Sequence, residues 1–304
     1  TLIMSLLMGV LAKVVAEAFG VPSISMQDFV FISVLGGVLA GLVLFVINVI
    51  VAKTGFERNW DVDNISAPLI TAAGGIITLP MLFLAAIIVL DAPSLLIDAF
   101  FVIIVVATIA LTAMMFRKGE KEVRRVIRQS FPVLTLCVVL DIVAGLTIDH
   151  QLESLVALPA LLVLIPPFLE DANALGGILT SRFSTQLHMG QMKPGALPGE
   201  TARENFAIIY VFALWVFTLV GVSSYAVAWI MGLGSPPLWD IVVLTLLAGL
   251  ITVTFLNIVA YYVAVATYRL NLDPDDHSIP LTSSAVDMIG SFALIGVILL
   301  MGLG

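Results

Sequence analysis

Two stretches of the sequence, "DVDNISAPLITAAGG" at 61–75 and "DPDDHSIPLTSSAVD" at 273–287, align without a gap at a shift of 273 − 61 = 212 residues. In both, acids are followed by a serine, a proline–leucine pair and an alanine at matching positions. The same shift pairs Gly9 with Gly221, Gly20 with Gly232 and Gly37 with Gly249. One register kept across several segments predicts that the chain contains two copies of one unit.

The composition predicts a membrane protein. Hydrophobic residues make up 61% of the chain, charged residues make up only 11%, and the mean hydropathy is +1.15. A bilayer core needs about 20 apolar residues per helical span, and the segments are too long for the strands of a membrane barrel. We therefore predict an all-α polytopic protein with spans at about 2–20, 28–52, 65–90, 95–116, 131–148, 155–188, 206–232, 238–268 and 279–303.

The basic residues predict the orientation, because Lys and Arg accumulate in cytoplasmic loops. The richest cluster is "RKGEKEVRRVIRQ" at 117–129, which we place in the cytoplasm. Alternating the spans from there puts the loops that lack Lys and Arg outside the cell. The expected protein is a multi-pass protein of the plasma membrane with an external C-terminus. A formal net charge of −8 argues against nucleic-acid binding, which needs clustered basic surface.

The repeat also predicts the domain organisation. Residues 1–93 form the last three spans of a first unit, residues 94–130 a connecting transmembrane helix with a basic cytoplasmic linker, and residues 131–304 a complete five-span unit. The connecting span makes the two five-helix repeats parallel. About 80 upstream residues carrying two spans are expected. With those spans the protein would act as a monomer, and without them as a homodimer.

Asp287 is the main candidate for a functional residue, because charges within a bilayer usually face a polar path. If Ser278 caps the last helix, Asp287 lies about 13 Å into the membrane. Ser283 and Ser284 share its face of the helix. Asp276 belongs to an acidic cluster that precedes this span, where acids either stabilise the helix N-terminus or attract cations.

The sixth span holds the second group of candidates, in "LIPPFLEDANALGG" at 164–177. Pro166 and Pro167 are expected to break or kink the helix, directly before Glu170, Asp171 and Asn173. Irregular backbone at membrane depth is tolerated where it lines a cavity. Carboxylate, amide and carbonyl oxygens suit Mg²⁺ or Ca²⁺ rather than soft metals.

Other polar residues within the spans have simpler interpretations. Asp98, Asp141 and Asn257 are expected to form hydrogen bonds between helices. His188, near a helix end, is interpreted as an interfacial residue rather than a metal ligand. Cys137 is interpreted as a small core residue.

The pattern D-P-D-D…P-L-T-S-S…D in a last span, with P-P…G-G…S-R-F-S-T-x-L-H-x-G earlier in the same unit, resembles the MgtE-type divalent cation channels and transporters. It is also similar to their eukaryotic solute-carrier relatives with two fused units. The resemblance implies a Mg²⁺ path between two units, with Asp287 at its centre and the backbone at Ser283 beside it. The first unit has Gly75 at the position of Asp287, so a symmetric pair of acids is absent.

Two other functions stay open at this point. A secondary transporter of a small organic substrate could also be built from broken helices in repeats. An intramembrane aspartyl protease would need two facing carboxyls that share a proton, for which Asp141 and Asp287 are the available pair. Neither acid lies in a glycine-flanked motif. No cofactor is predicted, and Mg²⁺ enters only as the transported ion.

Overall fold

The chain is helical throughout the part that the structure, a computed structural model, describes. The described residues are 2–21, 23–58, 62–118, 121–272 and 274–303. Side chains at 1–3, 62–68, 71–72, 115–118, 121–127 and 274–276 are outside the description. The helices are α1 (Leu2–Ala18), α2 (Met26–Glu57), α3 (Val62–Leu90), α4 (Ser94–Lys118), α5 (Lys121–Asp149), α6 (Leu152–Ala157), α7 (Pro159–His188), α8 (Glu200–Ile230), α9 (Leu238–Arg269) and α10 (Pro274–Leu300).

Eight of these helices are long and apolar enough to cross a membrane, judged over the described ranges. They are α2, α3, α4, α5, α7, α8, α9 and α10. The segment predicted as the first span forms α1, which has 17 residues and is not among the eight. The chain is therefore an all-helical polytopic membrane protein, as its composition predicts.

Two helices begin earlier than the sequence suggested. The helix α10 starts at Pro274, so the prediction that Ser278 is its N-cap was wrong. Proline is favoured at the first helical position, where its missing N–H costs nothing. Ser278 is instead buried one turn inside the helix, where its hydroxyl lies 2.7 Å from Oγ1 of Thr267 in α9. The helix α5 starts at Lys121 rather than 131, so helix covers much of the predicted basic loop.

The prolines Pro166 and Pro167 were expected to break or kink the helix; they do not break it, because α7 continues through both to His188. The interruption lies earlier, at Leu158 between α6 and α7. Leu158 precedes Pro159, and a residue before proline is disfavoured in the helical conformation. Burial of Ile165 and Phe168 on either side of the proline pair holds the continuous helix against neighbouring elements.

The chain divides into two compact units, residues 1–59 with 73–139 and residues 60–72 with 140–304. In the second unit, α7, α8, α9 and α10 pack against one another around a shared apolar core. Aromatic rings fill much of this core. Phe168 packs on Phe217 with ring centroids 5.0 Å apart, and Phe183 meets Tyr261 edge to face at 5.9 Å.

Local geometry recurs at the 212-residue shift. Helix α2, Met26–Glu57, corresponds residue for residue to α9, Leu238–Arg269. The preceding turns each contain a glycine with positive φ, 70° at Gly20 and 65° at Gly232. In the first unit a Cβ added at Gly9 would lie 2.9 Å from Cα of Val30, and in the second one added at Gly221 would lie 3.0 Å from Cα of Val242.

These recurrences involve one helix hairpin within each unit. Glycine permits the positive φ and the close backbone approach, which a side chain would disturb. They favour the interpretation that the chain contains two copies of one fold, which remains a prediction for the full five-helix repeat.

Candidate cation site

Asn173 of α7 and Asp287 of α10 form a hydrogen bond that joins two helices near the middle of the second unit. The amide Nδ2 of Asn173 donates to Oδ1 of Asp287 over 2.7 Å. Asn173 is buried, whereas Asp287 keeps part of its surface accessible. A hydrogen bond to a carboxylate is shorter and stronger than one between neutral groups, so this pair holds the acid in a defined orientation.

The position of Asp287 along α10 follows from the bounds of that helix. Helix α10 runs from Pro274 to Leu300, which places Asp287 13 residues from either end. At 1.5 Å per residue, the carboxyl-bearing residue lies about 20 Å from each helix end. Asp287 therefore lies at the middle of α10, and its depth near the middle of the membrane stays a prediction.

A second acid, Asp141 of α5, lies close to the same helix. Its carboxyl lies near the Ser284 hydroxyl, and its charge is near enough to interact with that of Asp287. Glu170 of α7 also lies within electrostatic range of Asp287. Acids on two other helices are therefore near enough for their charges to act on Asp287.

No basic side chain compensates these acids within the described part of the chain. Lys13 pairs with Glu17 and Lys53 pairs with Glu57, both in the first unit. Like charges brought together away from water repel strongly, because the effective dielectric constant is low. The arrangement requires a proton, water or a cation from outside the protein.

The other predicted site residues have different surroundings. Asp171 is partly buried beside Glu170, and the two charges repel. Ser283 is partly buried and Ser284 is buried. The side chain of Asp276 lies outside the described residues. The structure thus brings Asn173, Ser284 and Asp287 into one neighbourhood.

Within the described residues, no group of three or more His, Cys, Asp or Glu side chains is arranged to hold a metal ion. The neighbourhood of Asp287 is therefore not a closed cage of protein ligands. It offers separate carboxyl, amide and hydroxyl oxygens, a donor set that suits an ion that keeps several of its waters.

Two acids of this neighbourhood were considered in the sequence but not assigned to the cation site. Asp141 was interpreted as a hydrogen-bonding residue or, in the protease alternative, as the partner of Asp287, and it lies near Ser284. Glu170 was noted directly before Asp171. Its place on the helix, three residues before Asn173, was the signal that could have assigned it to the site.

The predicted contacts of Asn257, Asp98 and His188 can also be compared with the structure. Asn257 was expected to bond between helices, but both polar atoms of its buried amide lack a partner. Asp98 lines a cavity of about 350 Å³ in the first unit with Ser25 and Asp28. His188 ends α7, where its Nδ1 lies 2.8 Å from the Ser184 carbonyl oxygen.

The fold and the buried acids define the class: a polytopic helical membrane protein with a polar site within its spans. Residues 165–297 match the family MgtE, described as divalent cation transporter. The matched segment lies within the second unit, where the sequence motifs carry the resemblance. The match begins in α7 and ends in α10, so it includes both Asn173 and Asp287.

Two curated proteins are similar over most of the chain. Solute carrier family 41 member 3 of Mus musculus is 24% identical over 279 residues, 86% of this chain and 56% of the relative. Its counterpart in Rattus norvegicus is 24% identical over 284 residues, 86% of this chain and 59% of the relative. The chain thus spans less than two thirds of the length of these relatives. No solved structure matches the chain significantly.

Proposed function

We propose that the protein transports divalent cations across the membrane, with Mg²⁺ as the ion carried. The observation that supports this most directly is the Asn173–Asp287 pair in the middle of α7 and α10. Both residues lie inside the segment that matches a family of divalent cation transporters. We assign Asp287 the role of contacting the cation directly or through one of its waters.

The charge around Asp287 supports a cationic substrate rather than an anionic one. Asp141 and Glu170 lie within electrostatic range of it, and no ion pair in the described part of the chain neutralises the group. An organic anion would add to this repulsion. A divalent cation would relieve it, because it supplies the opposite charge at the place where the carboxyls converge.

The neutral groups near the pair suit a hydrated ion. Asn173 uses its Nδ2 for Asp287, so its Oδ1, which has no partner in the structure, is available to accept from a water of the ion. Mg²⁺ gives up its waters reluctantly and is usually held through one or two carboxylates. A site with few direct ligands also releases its ion readily, as conduction requires.

The proposal includes the expected membrane setting. We place the protein in the plasma membrane with the basic segment 117–129 in the cytoplasm and the C-terminus outside. The path between two repeats that the family resemblance implies stays a prediction. The oligomeric state remains tied to the prediction of further spans upstream.

The test is Mg²⁺ flux into liposomes that contain the purified protein and a Mg²⁺-sensitive dye. Asp287→Asn keeps the shape of the side chain and removes its charge. We expect it to reduce flux at least tenfold while expression and thermal stability stay near those of the parent. The matched control is Asp149→Asn, because Asp149 is an exposed acid at the end of α5 in the same unit.

Equal flux through Asp287→Asn and the parent would remove Asp287 from the path. An organic anion that raises the melting temperature when millimolar Mg²⁺ does not would overturn the assignment of a cation.

A further inference from the structure

Threonine hydroxyls in the helices of this protein generally bond to the carbonyl one turn earlier. In the second unit this holds for Thr218, Thr245, Thr252, Thr254 and Thr267, with distances of 2.6–3.1 Å. Thr180 and Thr282 are exceptions, because each has a fully or almost fully buried hydroxyl without a partner. A buried hydroxyl without a hydrogen bond is unfavourable.

Thr180 lies on the face of α7 that packs against α9 and α10. On a helix of 3.6 residues per turn, Asn173, Gly176, Thr180 and Phe183 share one face. A Cβ added at Gly176 would be in van der Waals contact with Leu256 of α9 and with Thr282 and Val286 of α10. Thr180 comes one turn later on the same face, towards the start of α10.

Asn257 faces α7 at nearly the same level. Leu256 and Tyr261 both point from α9 to α7. Leu256 lies next to Gly176, and Tyr261 packs on Phe183. On the helical wheel Asn257 lies between these two directions, 100° from Leu256 and 40° from Tyr261 at about 100° per residue. Its amide is 3% exposed, and neither Oδ1 nor Nδ2 has a partner.

Thr282 completes the group from α10. Its methyl Cγ2 would lie 3.6 Å from a Cβ at Gly176, and its hydroxyl is buried without a partner. Three neighbouring helices therefore carry four unpaired polar atoms on residues within about one helical turn of Gly176: Oγ1 of Thr180, Oγ1 of Thr282 and both amide atoms of Asn257. These groups include donors and acceptors but no charge.

We propose that Thr180, Asn257 and Thr282 bind buried water between α7, α9 and α10. Water is the ligand that matches them, because it both donates and accepts, and buried water typically satisfies two to four such groups. A dry arrangement would leave four polar atoms unsatisfied in one small region, which native structures avoid.

The water site adjoins the Asn173–Asp287 pair along α7 and α10, since Asn173 shares the face of Thr180 and Val286 precedes Asp287. Resting on the proposed function, we assign this water the role of exchanging with the hydration shell of a cation at Asp287. The presence of the water and its role in ion transport can be tested separately, because hydration of the site can be measured without transport.

The first experiment measures hydration directly by X-ray hydroxyl-radical footprinting and mass spectrometry of the detergent-solubilised protein. Leu256, whose side chain is fully buried beside Gly176, should be oxidised by radicals formed from the bound water. Leu244, equally buried but next to the back-bonded Thr245, should not. Labelling of Leu256 should fall several-fold in the double variant Thr180→Val/Asn257→Leu. A parent protein without labelling of Leu256 would overturn the proposal.

The second experiment measures thermal stability. If water bonds to Thr180, Thr180→Val removes a satisfied hydroxyl and should lower Tm by about 2–4 °C, as should the matched control Thr252→Val, which removes the bond to the Ala248 carbonyl. If the site is dry, the same change relieves an unsatisfied polar group. A Tm equal to or above that of the parent in both Thr180→Val and Asn257→Leu would therefore contradict bound water.

The third experiment is Mg²⁺ flux. Asn257→Leu should reduce flux several-fold, whereas Thr252→Val should leave it within about twofold of the parent. Unchanged flux in Asn257→Leu, with labelling of Leu256 lost, would overturn the role in ion hydration. It would leave the proposed function intact, because that function is tested at Asp287.

Discussion

The side-chain amide of Asn173 donates to the carboxylate of Asp287 over 2.7 Å, although the two residues are 114 positions apart in the sequence. The bond leaves Oδ1 of Asn173 without a protein partner. The same amide therefore fixes the orientation of the acid and offers an acceptor to whatever binds beside it.

Replacing Asn173 by Leu should weaken Mg²⁺ transport by raising the concentration needed for half-maximal flux. A hydrogen bond to a charged group is worth about 1.5–3 kcal/mol, which corresponds to about ten- to hundredfold in affinity. The measurement is the Mg²⁺ dependence of liposome flux. Asn205→Leu is the control, because Asn205 is also buried but bonds to Gln186 near the C-terminal end of α7. An unchanged concentration dependence in Asn173→Leu would contradict a role at the site.

Replacing Asp276 by Asn should reduce flux less than Asp287→Asn, and mainly at low ionic strength. The Debye length is about 30 Å at 0.01 M salt and about 10 Å at 0.1 M, so an acid near the start of α10 attracts cations over a distance only in dilute salt. Flux would be compared at both salt concentrations. A loss that does not depend on salt would assign Asp276 to direct ion contact instead.

Replacing Gly221 by Ala should destabilise the second unit. The added methyl would lie 2.6 Å from Oγ1 of Thr245 and 3.0 Å from Cα of Val242, and backbone atoms cannot rotate away. Overpacking of this kind costs about 1–3 kcal/mol and should lower the melting temperature.

Gly145→Ala is the matched control for Gly221→Ala. Gly145 is also inside a helix, but no atom lies within 4 Å of the position that its Cβ would take. Because alanine is favoured over glycine in helices by about 0.5–1 kcal/mol, this change should leave stability equal or slightly higher. The packing argument fails if the two variants melt alike.

Cysteines introduced at Phe19 and Met231 should both be labelled from outside intact cells. These residues are 72% and 64% exposed and occupy equivalent positions, since 19 + 212 = 231. Parallel repeats place equivalent turns on the same side of the membrane, whereas inverted repeats place them on opposite sides. A cysteine at Leu197, in the loop between α7 and α8, should be labelled only after the cells are permeabilised.

Several features of the helices were predictable because they depend on local sequence. Apolar runs of about 20 residues produce membrane helices wherever they occur, since the backbone must satisfy its own hydrogen bonds in lipid. The local expectations were less accurate where proline was involved. Pro274 starts α10 rather than preceding it, and α7 continues through Pro166 and Pro167, because packing of flanking apolar residues outweighs the local cost of a lost bond.

By itself the sequence determined the all-helical membrane class and the 212-residue correspondence between α2 and α9, and it singled out Asp287 as a candidate. These follow from composition, spacing and the cost of placing a charge in a bilayer. Only the tertiary structure decided which residues meet Asp287: Asn173 by a hydrogen bond, Asp141 and Glu170 through their charges. It also showed that the amide of Asn257 has no partner. Such pairings depend on how separate helices rotate and cross, and these are set by packing between segments that are distant in the chain.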